Sequence, residues 1–322
     1  MGSDQVPRAL VRTGSLVPLA GQIRPRQGLA FLVDWKGTSA ILRSLPAPAG
    51  GVSPENLATD TRWLHAFLTR LTALGFPAPR PLPAFAGQSS ATADDAAWEI
   101  VSYLPGAAVG WSARPPLEEI GALLACYHAT VRQIAVPEQR PTALPLGAVP
   151  AVLLSARLDA LGIDAGEAGA IRQLASRLDA ELADTAALVG DRVVIHGDFT
   201  NDNVIASGRP LRATGVIDFA LAHAEDPIAD LGYALWRSGR PHEHADYLDL
   251  NRVRRYVRGY AGAAALPSDR AAAISVYLMG RGLQMIAKRV RAGRPETGML
   301  AQVQWLSAHR GAIADVVQAA VR

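Results

Sequence analysis

The sequence predicts an α+β protein of two lobes, a small one rich in antiparallel strands followed by a larger, mainly helical one. Three observations carry that prediction. Short apolar runs bounded by turn residues fill the first hundred positions around one helical stretch. Helix-period apolar spacing dominates from about Leu117 onward. The length, 322 residues, suits two ordinary domains or one domain with a large second lobe, and the boundary is placed so that residues 1–104 form the first lobe and 105–322 the second. Hydrophobic residues are 49% and charged residues 19%, too apolar for a disordered chain.

In the first lobe, Leu29 to Trp35 and Ser39 to Leu45 are predicted strands joined by the turn Lys36-Gly37-Thr38. Ser53-Pro54-Glu55 reads as an N-cap, a proline at the first helical position and an acid in the first turn. Leu57, Leu64, Phe67, Leu68, Leu71 and Leu74 follow at helical spacing, and Gly75 ends the helix. Pro77, Pro79, Pro81 and Pro83 exclude helix; after the polar stretch Gln88 to Asp95, Trp98 to Leu104 is a further strand, closed by Pro105-Gly106. In the second lobe, helices are predicted over Leu117 to Gln133, Val152 to Leu161 and Gly166 to Val189. Arg192 to His196 and Ala213 to Phe219 are strand-like. From Ala229 to Arg322 the chain reads as helical, with breaks at Arg240-Pro241, Ala265-Leu266-Pro267 and Gly293-Arg294-Pro295.

Several function classes are excluded early. The formal net charge of +3 demands neither nucleic acid nor an acidic membrane surface as partner. Cys126 is the sole cysteine, so there is no internal disulfide and no cysteine-built zinc site; it and His128 lie in a helical stretch and are expected in the core. Met1 to Leu10 lacks an apolar signal core, Val6 breaks the myristoylation pattern, and no run approaches the roughly 18 apolar residues of a spanning helix. A soluble, cytoplasmic protein is expected. Neither lysine, Lys36 or Lys288, follows a glycine, which removes the P-loop, and G-x-G-x-x-G, G-x-S-x-G and H-E-x-x-H are absent. His242-Glu243-His244 is read as a solvated loop and not as a metal site.

The chemistry is concentrated in residues 192–219. Val193 to Ile195 is a short buried strand that delivers Asp198 onto a loop. Asn203 to Ala206 and Ala213 to Phe219 flank the turn Ser207-Gly208-Arg209-Pro210. In such a hairpin the start of one strand and the end of the other meet, so Asn203 and Asp218 are expected neighbours with Asp198 beside them. Two carboxylates and an amide oxygen suit a Mg²⁺-nucleotide site, because Mg²⁺ takes one or two carboxylates and leaves phosphates and water to complete its octahedron. The remaining carboxylate can accept a hydroxyl proton, a task that needs little beyond position when alignment and charge neutralisation do most of the catalysis. Taken singly, each of the three residues is an ordinary turn-former.

At these residues the chain resembles the aminoglycoside phosphotransferase-like kinases, a superfamily that includes choline and homoserine kinases and antibiotic-modifying enzymes. The resemblance rests on His196-Gly197-Asp198 with Asn203 five residues on, on Val216-Ile217-Asp218-Phe219, and on Asp226-Pro227 with Asp230-Leu231. It is strong across about residues 190–236, fair across 27–106 and vague elsewhere. It implies a bilobal protein-kinase-like fold and a kinase that moves the γ-phosphate of ATP, with Mg²⁺, to a small-molecule hydroxyl. Carried over by position, Asp198 is the catalytic base, Asn203 and Asp218 are the Mg²⁺ ligands, and His196 and Asp230 are structural.

In the first lobe the resemblance sets Arg43 where such kinases place a basic residue, often lysine, on the nucleotide phosphates. Asp60, on the apolar face of the following helix, is the candidate partner of Arg43. Gly21 to Gly28, with Arg24 and Arg26, is the candidate phosphate cover, and backbone groups near Ser102 and Leu104 are the expected adenine contacts; GTP is not distinguished from ATP. Arg281 and Gln284 are the candidate acceptor contacts. From Arg240 to Arg322 there are 13 basic and 6 acidic residues, which disfavours a strongly cationic acceptor if those arginines face the pocket, and says nothing of it if they form a solvated face. Three readings compete: a small-molecule kinase, whether antibiotic-inactivating or a metabolic enzyme of the homoserine, choline or sugar type; a protein kinase, disfavoured because H-R-D and A-P-E are missing; and a nucleotide-binding pseudokinase or regulator, which would normally have lost Asp198, Asn203 or Asp218.

Overall fold

A computed structural model of the chain describes residues 16–23, 29–45, 54–93, 96–111, 114–135, 146–185, 192–293 and 299–322. Its chain contacts separate Met1–Pro105 from Gly106–Arg322. In the first unit, β1 (Leu16–Ile23), β2 (Ala30–Trp35), β3 (Thr38–Leu45), β4 (Ser90–Ala93) and β5 (Ala96–Ser102) form an antiparallel sheet in the order β1-β2-β3-β5-β4. The β2–β3 turn is Lys36-Gly37, with φ of 53° and 80°; two left-handed residues give the turn whose twist matches paired strands. One sheet face buries Phe31, Val33, Ala40, Leu42, Trp98 and Ile100, the every-second-residue pattern of a half-buried sheet. Helix α1 (Pro54–Ala73) buries Leu64, Phe67, Leu68 and Leu71. It closes at Gly75 (φ 86°), where Gly75 N–H donates to Thr72 O at 3.0 Å and Phe76 N–H to Leu71 O at 3.3 Å, a Schellman end.

Two of these strands were not legible. Strand β1 takes in Gly21 to Ile23, the first part of the stretch read as a phosphate-covering loop; Arg24 and Arg26 lie outside the described residues. Its register against β2 slips between Pro18 and Gln22, and the proline and glycine in LVPLAGQI obscure the alternation that marks a strand. Strand β4 is SATA, too short and small-chained to show a pattern. Ser53, the expected N-cap of α1, lies outside the described residues.

The second unit contains β6 (Ala107–Ala108), α2 (Leu117–Val131), α3 (Val149–Ser155), α4 (Ala165–Thr185), β7 (Val193–Ile195), β8 (Val204–Ser207), β9 (Arg212–Val216), β10 (His223–Glu225), α5 (Pro227–Ser238), α6 (Leu250–Ala263), α7 (Ser268–Arg291), α8 (Leu300–Ala308) and α9 (Arg310–Val321). The strands pair as β6-β8-β9 and as β7-β10. Helix α2 packs along α6, and α5 along α7. The α2–α6 approach depends on glycine: a Cβ at Gly121 would overlap the Tyr256 carbonyl, and one at Gly259 the Glu118 carbonyl. The helix expected over Val152 to Leu161 is instead α3, followed by a single 3₁₀ turn at Asp159–Leu161. Pro150 starts α3 one turn early, and Gly162 at φ 79° ends the 3₁₀ turn. His128 is fully buried as expected, but Cys126 is exposed, so its placement in the core is corrected: α2 turns Ala125 and His128 inward and leaves residue 126 outside. No helix among the described residues is long and apolar enough to cross a membrane.

Candidate active site

Strand β8 begins at Val204 opposite Val216, and the Ile217 N–H donates to Asn203 O at 2.8 Å. Asn203 therefore sits at the open end of the β8–β9 hairpin, with Asp218 one residue beyond its partner Ile217. Asp218 is exposed and takes a left-handed backbone, φ 61° and ψ 64°, which Asp tolerates better than most residues. Asn203 is 9% exposed, and its Nδ2 donates to Asp198 O at 2.9 Å and to Asp198 Oδ2 at 3.1 Å. Those two bonds fix the amide, leaving Oδ1 as its acceptor. The structure thus joins Asn203 directly to Asp198 and sets Asp218 at the same hairpin end.

The loop that carries Asp198 is anchored from below. Asp230, in the first turn of α5, accepts from the main-chain N–H of His196 at 2.8 Å and of Gly197 at 3.0 Å. Helix α5 is itself fixed at its start, where Asp226 caps the Ile228 N–H at 2.8 Å and pairs with Arg270. Burial alone would push the Asp230 carboxyl up; the hydrogen bond and charge of His128, the charge of His196 and the His196 amide hold it below the usual 3.8. His128 Nε2 stands 3.3 Å from Asp230 and its Nδ1 2.9 Å from the Tyr260 hydroxyl. His196 accepts the Asp198 N–H at Nδ1 (3.2 Å), so its Nε2 donates to Ile217 O at 3.0 Å. One buried imidazole thereby ties the Asp198 loop to the segment leading into Asp218. Tyr127, Phe199 and Phe219 pack around that ring, Phe219 at 4.5 Å between centroids. Gly197 has φ 74°, and a Cβ there would meet the Leu221 carbonyl.

Arg281 reaches the other side of Asp198. Its Nη2 donates to Asp198 Oδ1 at 3.0 Å and its Nη1 to Gln284 Oε1 at 2.7 Å, and its guanidinium lies 4.9 Å over the Tyr233 ring. The two residues expected to touch the acceptor are thus bonded to each other, and Arg281 to the expected base. Several other arginines of the basic C-terminal stretch are engaged elsewhere: Arg252 with Ser238 O, Arg254 with Asn251, Arg255 with Glu118, Arg270 with Asp226 and Arg310 with Glu181. Of that stretch, Arg281 is bonded to Asp198. His242, Glu243 and His244 are exposed.

As a metal cradle the donor set is sparse. Among the described residues no three His, Cys, Asp or Glu side chains gather in ligand geometry. One amide oxygen, Asn203 Oδ1, and one carboxylate, Asp218, are what a nucleotide-bound Mg²⁺ requires of a protein when phosphates supply most of its shell. The residues fit that group and not a stand-alone metal centre.

In the first unit, Arg43 is directly opposite Glu99 across the β3–β5 pair, and its Nε bonds Glu99 Oε1. Glu99 is fully buried, and His65 of α1 binds its second oxygen at 2.6 Å. Burial would raise the Glu99 carboxyl; the charges and hydrogen bonds of Arg43 and His65 bring it down to about 2. Sequence reasoning proposed Asp60 as the partner of Arg43 and missed Glu99. Asp60 is buried on α1, as its helical position implied. The Ser102 N–H, one of the expected adenine contacts, is taken by Arg80 O at 2.8 Å, and Ser102 Oγ accepts the Arg80 N–H at 2.9 Å. The main chain of Leu104 makes no hydrogen bond among the described residues.

Comparison with known proteins gives the family and the fold. The profile described as the phosphotransferase enzyme family matches residues 25–266. A homoserine kinase of Methylobacterium radiotolerans is 26% identical over 259 residues, 79% of this chain and 72% of that protein. Among solved structures, a microcompartment-associated aminopropanol kinase superposes with a TM-score of 0.65 at 16% identity, covering 95% of this chain and 93% of that one. An amicoumacin kinase in complex with AMP-PNP, Ca²⁺ and Ami gives 0.60 at 17% identity, covering 94% and 88%. The structural matches share the two-part α+β fold of strands followed by helices.

Proposed function

The chain belongs to the phosphotransferase enzyme family, and from that premise we propose that it transfers the γ-phosphate of ATP, as its Mg²⁺ complex, to a hydroxyl of a small molecule. One observation carries the reading: Asn203 is hydrogen-bonded to Asp198 at the hairpin end that also presents Asp218. In this reading Asp198 takes the acceptor's proton as phosphate moves. Its carboxylate is aimed by Asn203 on one oxygen and Arg281 on the other, so it contributes position more than basicity. Asn203 Oδ1 and the Asp218 carboxylate would hold the metal, which would supply neutralisation of charge on the phosphates. His196 and Asp230 keep the two segments in register and touch no substrate. Arg43, braced by Glu99, supplies a fixed cation for phosphate, and Leu104, whose main chain makes no hydrogen bond among the described residues, offers one to a base.

The acceptor is an alcohol that is not strongly cationic. Arg281 beside Asp198 repels a polycation such as an aminoglycoside, which supports a metabolic small-alcohol kinase over an aminoglycoside-inactivating one. The homoserine kinase likeness supports the same side. A screen of ATP and GTP consumption over aminoglycosides and other antibiotics, nucleosides, sugars, amino alcohols and hydroxy acids tests this. Mg²⁺-dependent consumption with one uncharged or anionic alcohol class is expected. Preferred turnover of aminoglycosides would overturn the choice of acceptor, and nucleotide binding without turnover of any alcohol would return the chain to the pseudokinase reading.

A further inference from the structure

Helix α7 turns one face to the Asp198 loop. Arg281, Gln284 and Lys288 are spaced i, i+3 and i+7 along it, and Arg281 already touches Asp198. Arg281 is 5% exposed, and it bonds through Nη1 and Nη2, which leaves its Nε edge without a hydrogen bond among the described residues. Lys288, two turns on, is half-buried, and no hydrogen bond or ion pair to its ammonium exists among the described residues. Burial first, and the Arg281 cation second, push Lys288 down to about 8, while Asp198 and Glu225 pull it up. Both of those anions are committed elsewhere: Asp198 to Arg281 and Asn203, and Glu225 to His223 Nε2 at 2.7 Å and the Tyr233 hydroxyl at 3.4 Å. A desolvated ammonium without a partner destabilises the chain that carries it, and a ligand anion removes that penalty.

We infer that the acceptor bears a carboxylate next to its reacting hydroxyl, and that Lys288, with the open edge of Arg281, seats it beside Asp198. This rests on the phosphotransferase reading above and adds the charge of the substrate. One unpaired cation suits a monoanion better than a phosphate dianion, since Arg281 is already half neutralised by Asp198. The carboxylate also orients the hydroxyl, because an anchor one or two carbons away leaves the skeleton little freedom about the base.

The test is steady-state transfer to matched acceptors: serine, homoserine and glycerate, each beside its carboxamide, with glycerol phosphate as the doubly charged arm. The acid of at least one pair is expected to exceed its amide by about tenfold or more in kcat/KM. In Lys288→Met and Lys288→Gln that preference should vanish through a higher KM for the acid, with the amide's turnover and the KM for ATP unchanged. Equal use of acid and amide by the wild-type protein overturns the inference, as does a preference for glycerol phosphate. A rise in the KM for ATP in the Lys288 variants would make this lysine a nucleotide ligand and overturn it too. Transfer confined to alcohols without a carboxylate sinks this inference alone, whereas absence of transfer to every acceptor sinks the phosphotransferase reading with it.

Discussion

Glu99 shows at the residue scale how a site cation is held. It is fully buried, faces Arg43 across the sheet and is gripped from α1 by His65. Its carboxyl titrates at about 2 in the folded chain, below the ordinary 4.5. A group whose pKa is lowered on folding adds stability above the unfolded value and loses it as pH falls through the folded one. The contribution of Glu99 is therefore complete above about pH 4.5 and disappears between there and pH 2, each pH unit being worth about 1.4 kcal/mol. Denaturant unfolding from pH 5 to 2 should show the wild type losing stability faster than Glu99→Gln, whose curve is lower at pH 5 and flatter below it. Parallel curves would mean that the buried pair is not ionised as drawn. Glu99 was not legible because which residue of β5 faces Arg43 depends on strand register, and nothing in WEIVSYL fixes the register.

At the scale of elements, two features set the helical unit. The first is the hairpin that brings Asn203 and Asp218 together, which was legible because Ser207-Gly208-Arg209-Pro210 is unmistakable turn chemistry between two apolar runs. The second is the α2–α6 crossing, which was not: Gly121 and Gly259 lie 138 positions apart, and no local pattern says that one backbone will touch another. Gly259→Ala must push the Glu118 carbonyl away. Overpacking of this kind costs about 1–3 kcal/mol, and thermal unfolding should fall by about 2–4 °C per kcal/mol in a unit of this size. An unchanged melting temperature would show that the two helices do not meet at that glycine. The arginines of the C-terminal helices teach the complementary lesson. Their number suggested an acceptor preference, but the structure ties several of them to helix ends and acids, while Arg281, spaced for burial on α7, reaches Asp198.

Across the whole molecule, a strand-rich first unit and a helical second one were readable because helix-period apolar spacing takes over from about Leu117, shortly after the division at Pro105. Strands β1 and β4 escaped because proline, glycine and small residues erase that periodicity. The candidate site residues of the second unit stood out for a different reason: the proposed chemistry needs oxygen donors at fixed spacing, and spacing survives in sequence where packing partners do not. His196 and Asp230 belong to the same legible set, and their hydrogen bonds to the Asp198 loop are mechanical supports for it. The account's central claim is that Asp218 and Asn203 hold a metal-nucleotide complex while Asp198 serves only the transfer. Calorimetric titration of Mg²⁺ with a non-hydrolysable ATP analogue into wild type, Asp198→Asn and Asp218→Asn tests it most directly, the last substitution being one that still accepts a left-handed backbone. The account predicts wild-type affinity for Asp198→Asn and a loss of about tenfold or more for Asp218→Asn; equal affinity in the Asp218 variant would contradict it.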